Sequence, residues 1–158
     1  MSTVRAATVA DAPAIGEIHV RSWQAAYDGL IPADFLARLS ASSRATAWAR
    51  RIGDGAGQVL VAEDDGIVVG FAAFGPSQLY ALYLLPEFWG RGLGRVLHDR
   101  VVENMTGDSA VLWVLATNER AKAFYVRQGW VDDDARQTET VDDGRVTLEE
   151  MRYRRRLP

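Results

Sequence analysis

The chain has 158 residues, enough for one domain with a full hydrophobic core. It is 48% hydrophobic and 25% charged with a net charge of −3, so no general attraction to nucleic acid or membrane surfaces is expected. It has no cysteine, which excludes disulfides, thiolate metal ligands and a cysteine nucleophile. His19 and His98 lack metal-ligand spacing, so no metal is expected. No apolar run approaches the ~20 residues of a membrane span, and Met1-Ser2-Thr3-Val4-Arg5 opens no secretory leader, so a cytoplasmic location is expected.

Residues 4–7 read as a first strand. Asp11 is placed to cap a helix that Pro13 helps to start. Ile15, Ile18, Ser22 and Ala26 share one face of it, and Gly29 is placed to stop it. Ile31-Pro32 opens a short helix over 33–39. Ser42 or Ser43 caps a third helix that ends before Gly53. After a turn at 54–57, strands over 58–63 and 67–74 are joined by Asp64-Asp65-Gly66, a hairpin signal.

The next stretch carries the chemistry. An apolar run over 79–85 reads as a buried strand, ended by Pro86. Gly90, Gly92 and Gly94 follow at alternate positions, with Arg91 and Arg95 among them. Leu93, Val96, Leu97, Val101 and Val102 then set a helical period over about 92–104. A strand, a glycine-rich bend and a helix N-terminus make an anion site. Glycines let backbone N–H groups approach a ligand, and the first helical turn leaves such groups unpartnered at the positive end of the dipole. A phosphate-bearing ligand is expected here; the plainer alternative is a tight strand-to-helix turn. Two common phosphate loops are excluded. No Gly-Lys is followed by Ser or Thr, and a G-x-G-x-x-G begun at Gly90 would need glycine where Arg95 stands.

A loop at 106–108 leads to a short apolar strand over 110–115 and a helix over 118–128. That helix reads Asn118-Glu119-Arg120-Ala121-Lys122-Ala123-Phe124-Tyr125 and is followed by Gln128-Gly129-Trp130. Asp142-Asp143-Gly144 marks a hairpin tip between strands over 136–141 and 146–153. The strand–helix–strand unit at 79–115 implies a parallel pair with a right-handed crossover. Hairpins on either side imply an otherwise antiparallel sheet. The expected class is α/β of the α+β type: a mixed, mostly antiparallel sheet with helices on both faces, in a single domain over 1–158.

The G-R-G-L-G loop after a Pro-terminated strand, followed by Asn, Ala, Phe-Tyr and Gly-aromatic, closely resembles the two signatures of the GNAT superfamily of N-acetyltransferases. The resemblance covers nearly the whole chain. It departs at Trp89, where the family's loop usually carries Gln or Arg. It implies that the parallel pair splays to admit a pantetheine arm, with acetyl-CoA as co-substrate. It further implies cofactor contacts from Leu82, Tyr83, Leu84, Trp89, Gly90, Arg91, Gly92, Leu93, Gly94, Arg95, Asn118, Ala121, Phe124 and Tyr125. Within that set Tyr125 would protonate the leaving thiolate, and the Leu82 N–H would meet the developing oxyanion. Leu84 would pair with pantetheine amides, and Arg91 and Arg95 would reach the diphosphate. Asn118 either bonds the pantetheine arm or is an ordinary helix cap.

Some family members carry a glutamate where this chain has Gln78, which cannot accept a proton at useful pH. Tyr80, Tyr83, Glu63 and His19 are substitutes, unless water relays the proton or the amine arrives neutral. The resemblance puts the acceptor pocket between the first two helices and the C-terminal hairpin, with Arg21, Ser22, Trp23, Tyr27 and Asp28 on one side, and Gln78 and Tyr80 are further substrate-site candidates. Trp23 and Tyr27 share a helix face, and core or dimer packing is the favoured reading of the pair over a pocket role. Asp132-Asp133-Asp134 and Asp142-Asp143 would lend acidic character to the mouth, or be simply solvated. Arg152, Arg154 and Arg156 alternate along the last strand and read as protection of a sheet edge. The expected function is acetyl transfer to a primary amine, small molecule or peptide, by direct attack in a ternary complex. The alternatives are a non-catalytic acyl-CoA sensor and a nucleotide-phosphate binder unrelated to CoA. Homodimer formation is expected only by family analogy.

Overall fold

The structure, a computed structural model, describes residues 1–158. Seven strands build one sheet: β1 (Ser2–Ala6), β2 (Gln58–Asp64), β3 (Ile67–Phe74), β4 (Gln78–Leu84), β5 (Ser109–Leu115), β6 (Val131–Val141) and β7 (Val146–Arg156). Five helices accompany them: α1 (Ala12–Ala26), α2 (Ala33–Ala37), α3 (Ala41–Gly53), α4 (Leu93–Asn104) and α5 (Glu119–Arg127). The strand order is β1-β2-β3-β4-β5-β7-β6, and only β4 and β5 run parallel. The α+β class with a mixed sheet is therefore observed. No helix is long and apolar enough to cross a membrane.

Alternation along the strands sorts their side chains onto two faces. Val61, Phe71 and Ala73 meet Ala12, Ile15 and Ile18 of α1 and Trp48 of α3. Leu60, Ala62, Val69 and Ala72 meet Leu93, Leu97 and Val101 of α4 on the other face. Gly16 lets α1 and α3 touch: a Cβ there would lie 2.5 Å from the Ala41 carbonyl oxygen. Two caps differ from expectation. The Asp11 carboxylate turns back from α1 and accepts from the Thr8 N–H at 2.7 Å and from Arg5 at 2.8 and 2.9 Å. The cap of α3 is Ser40, whose Oγ accepts from the Ser43 N–H at 3.2 Å, and the helix runs through Gly53.

The parallel pair is short. Only Gln78↔Val111 and Leu79↔Leu112 are in register, and beyond them the strands part. On its other side β4 stays paired with β3, except that Tyr80 is an extra residue between Leu79 and Ala81. Such a bulge bends a strand and raises its local twist. It sits where β4 leaves β5.

The C-terminal hairpin overturns two expectations. β6 begins at Val131 rather than 136: Val131 and Asp132 are in register with β7, and the register then shifts before Arg136, leaving Asp133 and Asp134 in a bulge. β7 lies between β5 and β6, so its arginines guard no edge; β6 is the edge strand. Asp133 instead pairs with Arg152 at 2.8 Å and Arg154 at 3.3 Å, and Asp132 pairs with Arg136 at 2.9 Å.

Candidate active site

A cavity of about 740 Å³ occupies the gap between β4 and β5 and continues between α1, α3 and the β6–β7 hairpin. The β4 wall is main chain. The Leu85 N–H bonds Val69 on β3 at 2.9 Å, so alternate residues Tyr83 and Ala81 also face β3. Leu82 and Leu84 therefore direct their N–H groups into the gap, where β5 offers no registered partner. The Leu84 carbonyl is held by the Ser22 hydroxyl and the Trp89 indole N–H, each at 3.0 Å. Ser22 is thus a strut between α1 and β4.

At one end of the gap the glycine turn meets α4. Gly90 and Gly92 have φ of +74° and +84°, which side chains resist. Helical bonding begins with the Val96 N–H on the Gly92 carbonyl, at 3.2 Å. The N–H groups of Leu93, Gly94 and Arg95 are left without intrahelical acceptors. The Leu93 side chain itself is in the core. Arg95 lines the cavity, whereas Arg91 lies outside it with its guanidinium over the Phe88 ring. Sequence reasoning missed Arg120. Its guanidinium lies 3.5 Å over the Trp89 ring, beside the loop. Trp89 in place of a polar residue therefore ties the loop to β4 and seats a cation. These N–H groups and arginines fit the diphosphate of a bound coenzyme A.

The opposite wall comes from β5 and α5. Asn118 caps α5, its Oδ1 accepting from the Ala121 N–H at 3.1 Å, and it also lines the cavity. The cap reading is thus observed, and the cavity position leaves Asn118 beside the gap. Ala121, Phe124 and Tyr125 follow on the cavity side. Burial pushes the Tyr125 phenol upward, so it stays protonated through neutral pH. The Gly129-Trp130 pair serves packing: Trp130 is buried and its indole N–H donates to His98 Nε2 at 2.9 Å.

The far end of the cavity is aromatic. Trp23 and Tyr27 meet edge to face with centroids 4.9 Å apart, and the Trp23 indole donates to the Tyr83 hydroxyl at 3.0 Å. Both line the cavity, as does Tyr80. His19 stacks on Tyr83, and its Nδ1 accepts from the Trp48 indole at 3.1 Å. Burial, with Arg44 nearby, lowers His19 to about 4. A neutral imidazole that accepts at Nδ1 carries its proton on Nε2, so His19 is a donor and not a base.

Several expected residues lie elsewhere. Asp28 is exposed and outside the cavity, because α1 ends at Ala26 and the chain turns away. Gln78 sits at the paired end of β4, also outside the lining, and its carbonyl holds the Gly75 N–H at 2.8 Å. Arg21 is bound to Glu87 at 2.9 Å, and Glu63 is bound to Arg5. Asp142 takes Arg38 at 2.6 Å, which ties α2 to the hairpin tip. In their place stands Glu150 on β7. Its Oε1 accepts from Gln137 at 2.9 Å, and Glu139 lines the cavity beside it. Burial first, then Glu139, raise the Glu150 carboxyl above the ordinary range. Glu150 was legible in principle, since it continues the inward alternation of Val146 and Leu148.

Against known proteins, the acetyltransferase (GNAT) family model matches residues 18–130. An uncharacterized N-acetyltransferase of Bacillus subtilis, YuaI, is 37% identical over 131 residues, covering 75% of this chain and 74% of that protein. A GCN5-related N-acetyltransferase from Rhodopseudomonas palustris superposes with a TM-score of 0.85 at 23% identity, over 99% of this chain and 96% of that one. The putative acetyltransferase yncA of Salmonella typhimurium, solved with acetyl-CoA, gives 0.72 at 24% identity, over 100% and 95%. The two structures establish the fold. The family model, spanning most of the chain, and the Bacillus relative identify the protein as a member of the GNAT family, an acetyltransferase.

Proposed function

We propose that the protein transfers the acetyl group of acetyl-CoA to a primary amine by direct attack while both substrates are bound, within one domain over 1–158. The observation that carries this reading is the split between β4 and β5, with inward N–H groups of Leu82 and Leu84 on one wall and the Tyr125 phenol on the other. The coenzyme supplies an activated acetyl thioester. The glycine turn, Arg95 and Arg120 would hold its diphosphate end, and the Leu84 N–H its amide arm. The Leu82 N–H stabilises negative charge on the carbonyl oxygen. The Tyr125 hydroxyl donates a proton to the departing sulfur. A cytoplasmic location, where acetyl-CoA is available, goes with this reading.

The amine must shed a proton before it attacks. Glu150 is suited to take it: its carboxylate lines the acceptor end, and its raised affinity for protons brings it nearer the amine. Glutamine at position 78 therefore does not argue for a sensor, because that position lies outside the cavity. The test is thiol release from acetyl-CoA across a panel of amines, with Tyr125→Phe alongside. Turnover in the variant should fall by about ten- to a hundredfold, toward or below the usual worth of general acid catalysis, with acetyl-CoA still bound. An unchanged kcat would remove Tyr125 from the mechanism. Acetyl-CoA binding without turnover of any amine would favour the sensor.

A further inference from the structure

The acceptor end of the cavity holds charges of both signs. Glu139 and Glu150 line it from the hairpin, and Arg44 lines it from α3. Arg44 makes no side-chain hydrogen bond and no ion pair within the chain. Its guanidinium rests 5.9 Å from the centroid of the Trp23 ring, which orients the group without neutralising it. Arg51, two turns along the same helix face, is occupied: it donates to the Ala56 carbonyl at 3.1 Å and lies over Trp48 and Tyr80. Arg44 and Glu150 both act on the Tyr83 phenol, Arg44 lowering its proton affinity and Glu150 raising it. Arg44 and Glu150 therefore both lie within electrostatic reach of one hydroxyl. Around them Trp23, Tyr27, Ile31, Val141 and Leu148 form an apolar wall.

A partly buried cation without a counter-charge is costly, and a guanidinium is shaped for a planar oxyanion. An acceptor bearing only an amine would answer Glu150 and leave Arg44 unanswered. We propose, resting on the acetyltransferase reading, that the acceptor is an amino acid: its carboxylate lies on Arg44, its amine faces Glu150, and its apolar side chain lies against the aromatic wall. The reaction then forms an N-acetyl amino acid. The amine nitrogen bonds the acetyl carbon, the carbon–sulfur bond breaks, and the two protons lost from the ammonium pass to Glu150 and, through Tyr125 and solvent, to the thiolate.

The test compares leucine and phenylalanine with their methyl esters and with isopentylamine and phenethylamine, by thiol release from acetyl-CoA. The esters keep the shape and have the more readily deprotonated amine, so chemistry alone would favour them. The amino acids should nevertheless show kcat/KM at least about tenfold higher, the worth of a charged hydrogen bond. Arg44→Gln should cut kcat/KM for the amino acids at least about tenfold more than for the amines, mainly through KM. Arg44→Lys, which keeps the charge but not the fork, should recover part of the loss. Acetyl-CoA binding by calorimetry reports whether each variant is folded. Equal use of amino acids, esters and amines would overturn the proposal and leave the acetyltransferase reading standing. An equal loss for all acceptors in Arg44→Gln would also overturn it. No turnover of any compound, with acetyl-CoA bound, would overturn both.

Discussion

Trp89 shows how one residue can serve a loop without contributing a polar side chain to the ligand. Its indole N–H closes the free carbonyl of Leu84, and its ring carries Arg120. Glu150 carries the account of proton transfer. Its raised pKa means that a neutral-pH carboxylate there is held at some expense to folding, since the folded state prefers the proton. Two consequences follow for Glu150→Gln. The rise of kcat/KM with pH, centred above the ordinary carboxylate range in the wild type, should disappear, with activity lowered by about a hundredfold. The melting temperature at neutral pH should stay level or rise. A wild-type pH profile retained in the variant would assign the proton to another group. Little of this was readable beforehand. Tyr125 and the glycines stand in motifs, whereas Glu150 and Arg44 come from a strand and a helix with no motif, and only the fold brings them to one cavity.

The elements were more legible than the contacts between them. Period and turn chemistry placed the helices and every strand but β6 close to their observed spans, because apolar alternation and glycine turns act over a few residues; β6 starts five residues earlier than expected. Asp11 was read as the cap of α1, but Arg5 and the Thr8 N–H compete for the same carboxylate and hold it on the other side of the turn. The arginines of β7 were read as guarding an edge. Strand alternation cannot reveal that a strand is inserted between two others, and β7 sits between β5 and β6. The close crossing of α1 and α3 makes a prediction at this scale. A methyl at Gly16 would meet the backbone at Ala41 and Ala45, which cannot move aside like a side chain. Gly16→Ala should therefore cost about 1–3 kcal/mol in chemical denaturation, despite alanine's better helix propensity. A neutral or stabilising result would show that the two helices have room to part.

Across the whole molecule, the sheet is arranged to be whole everywhere except at one seam. Five of its six strand pairings are antiparallel, and the one parallel pair opens after two registered residues. The aromatic cluster behind that seam buries His19, and the other core face buries His98; burial lowers the proton affinity of both. The unfolded chain binds protons at these sites from about pH 6.5 downward, and the folded chain resists down to about 4 at His19. Stability due to His19 is thus full above 6.5 and is lost as pH falls through that window, by at most about 3 kcal/mol. Glu150, raised by burial, works in the opposite direction. Denaturation at pH 7 and pH 5 should accordingly show a smaller acid loss in His19→Gln than in the wild type. Equal losses would mean that His19 takes up its proton without unfolding. On the proposed reading, the seam between β4 and β5 is where an amine receives an acetyl group. The most direct measurement is the joint count of free thiol and N-acetylated product from acetyl-CoA and an amine, with wild type and Tyr125→Phe side by side. One product per thiol, release that needs the amine, and slower turnover in the variant are expected. Thiol release at the same rate without any amine, or at the same rate in Tyr125→Phe, would contradict that reading.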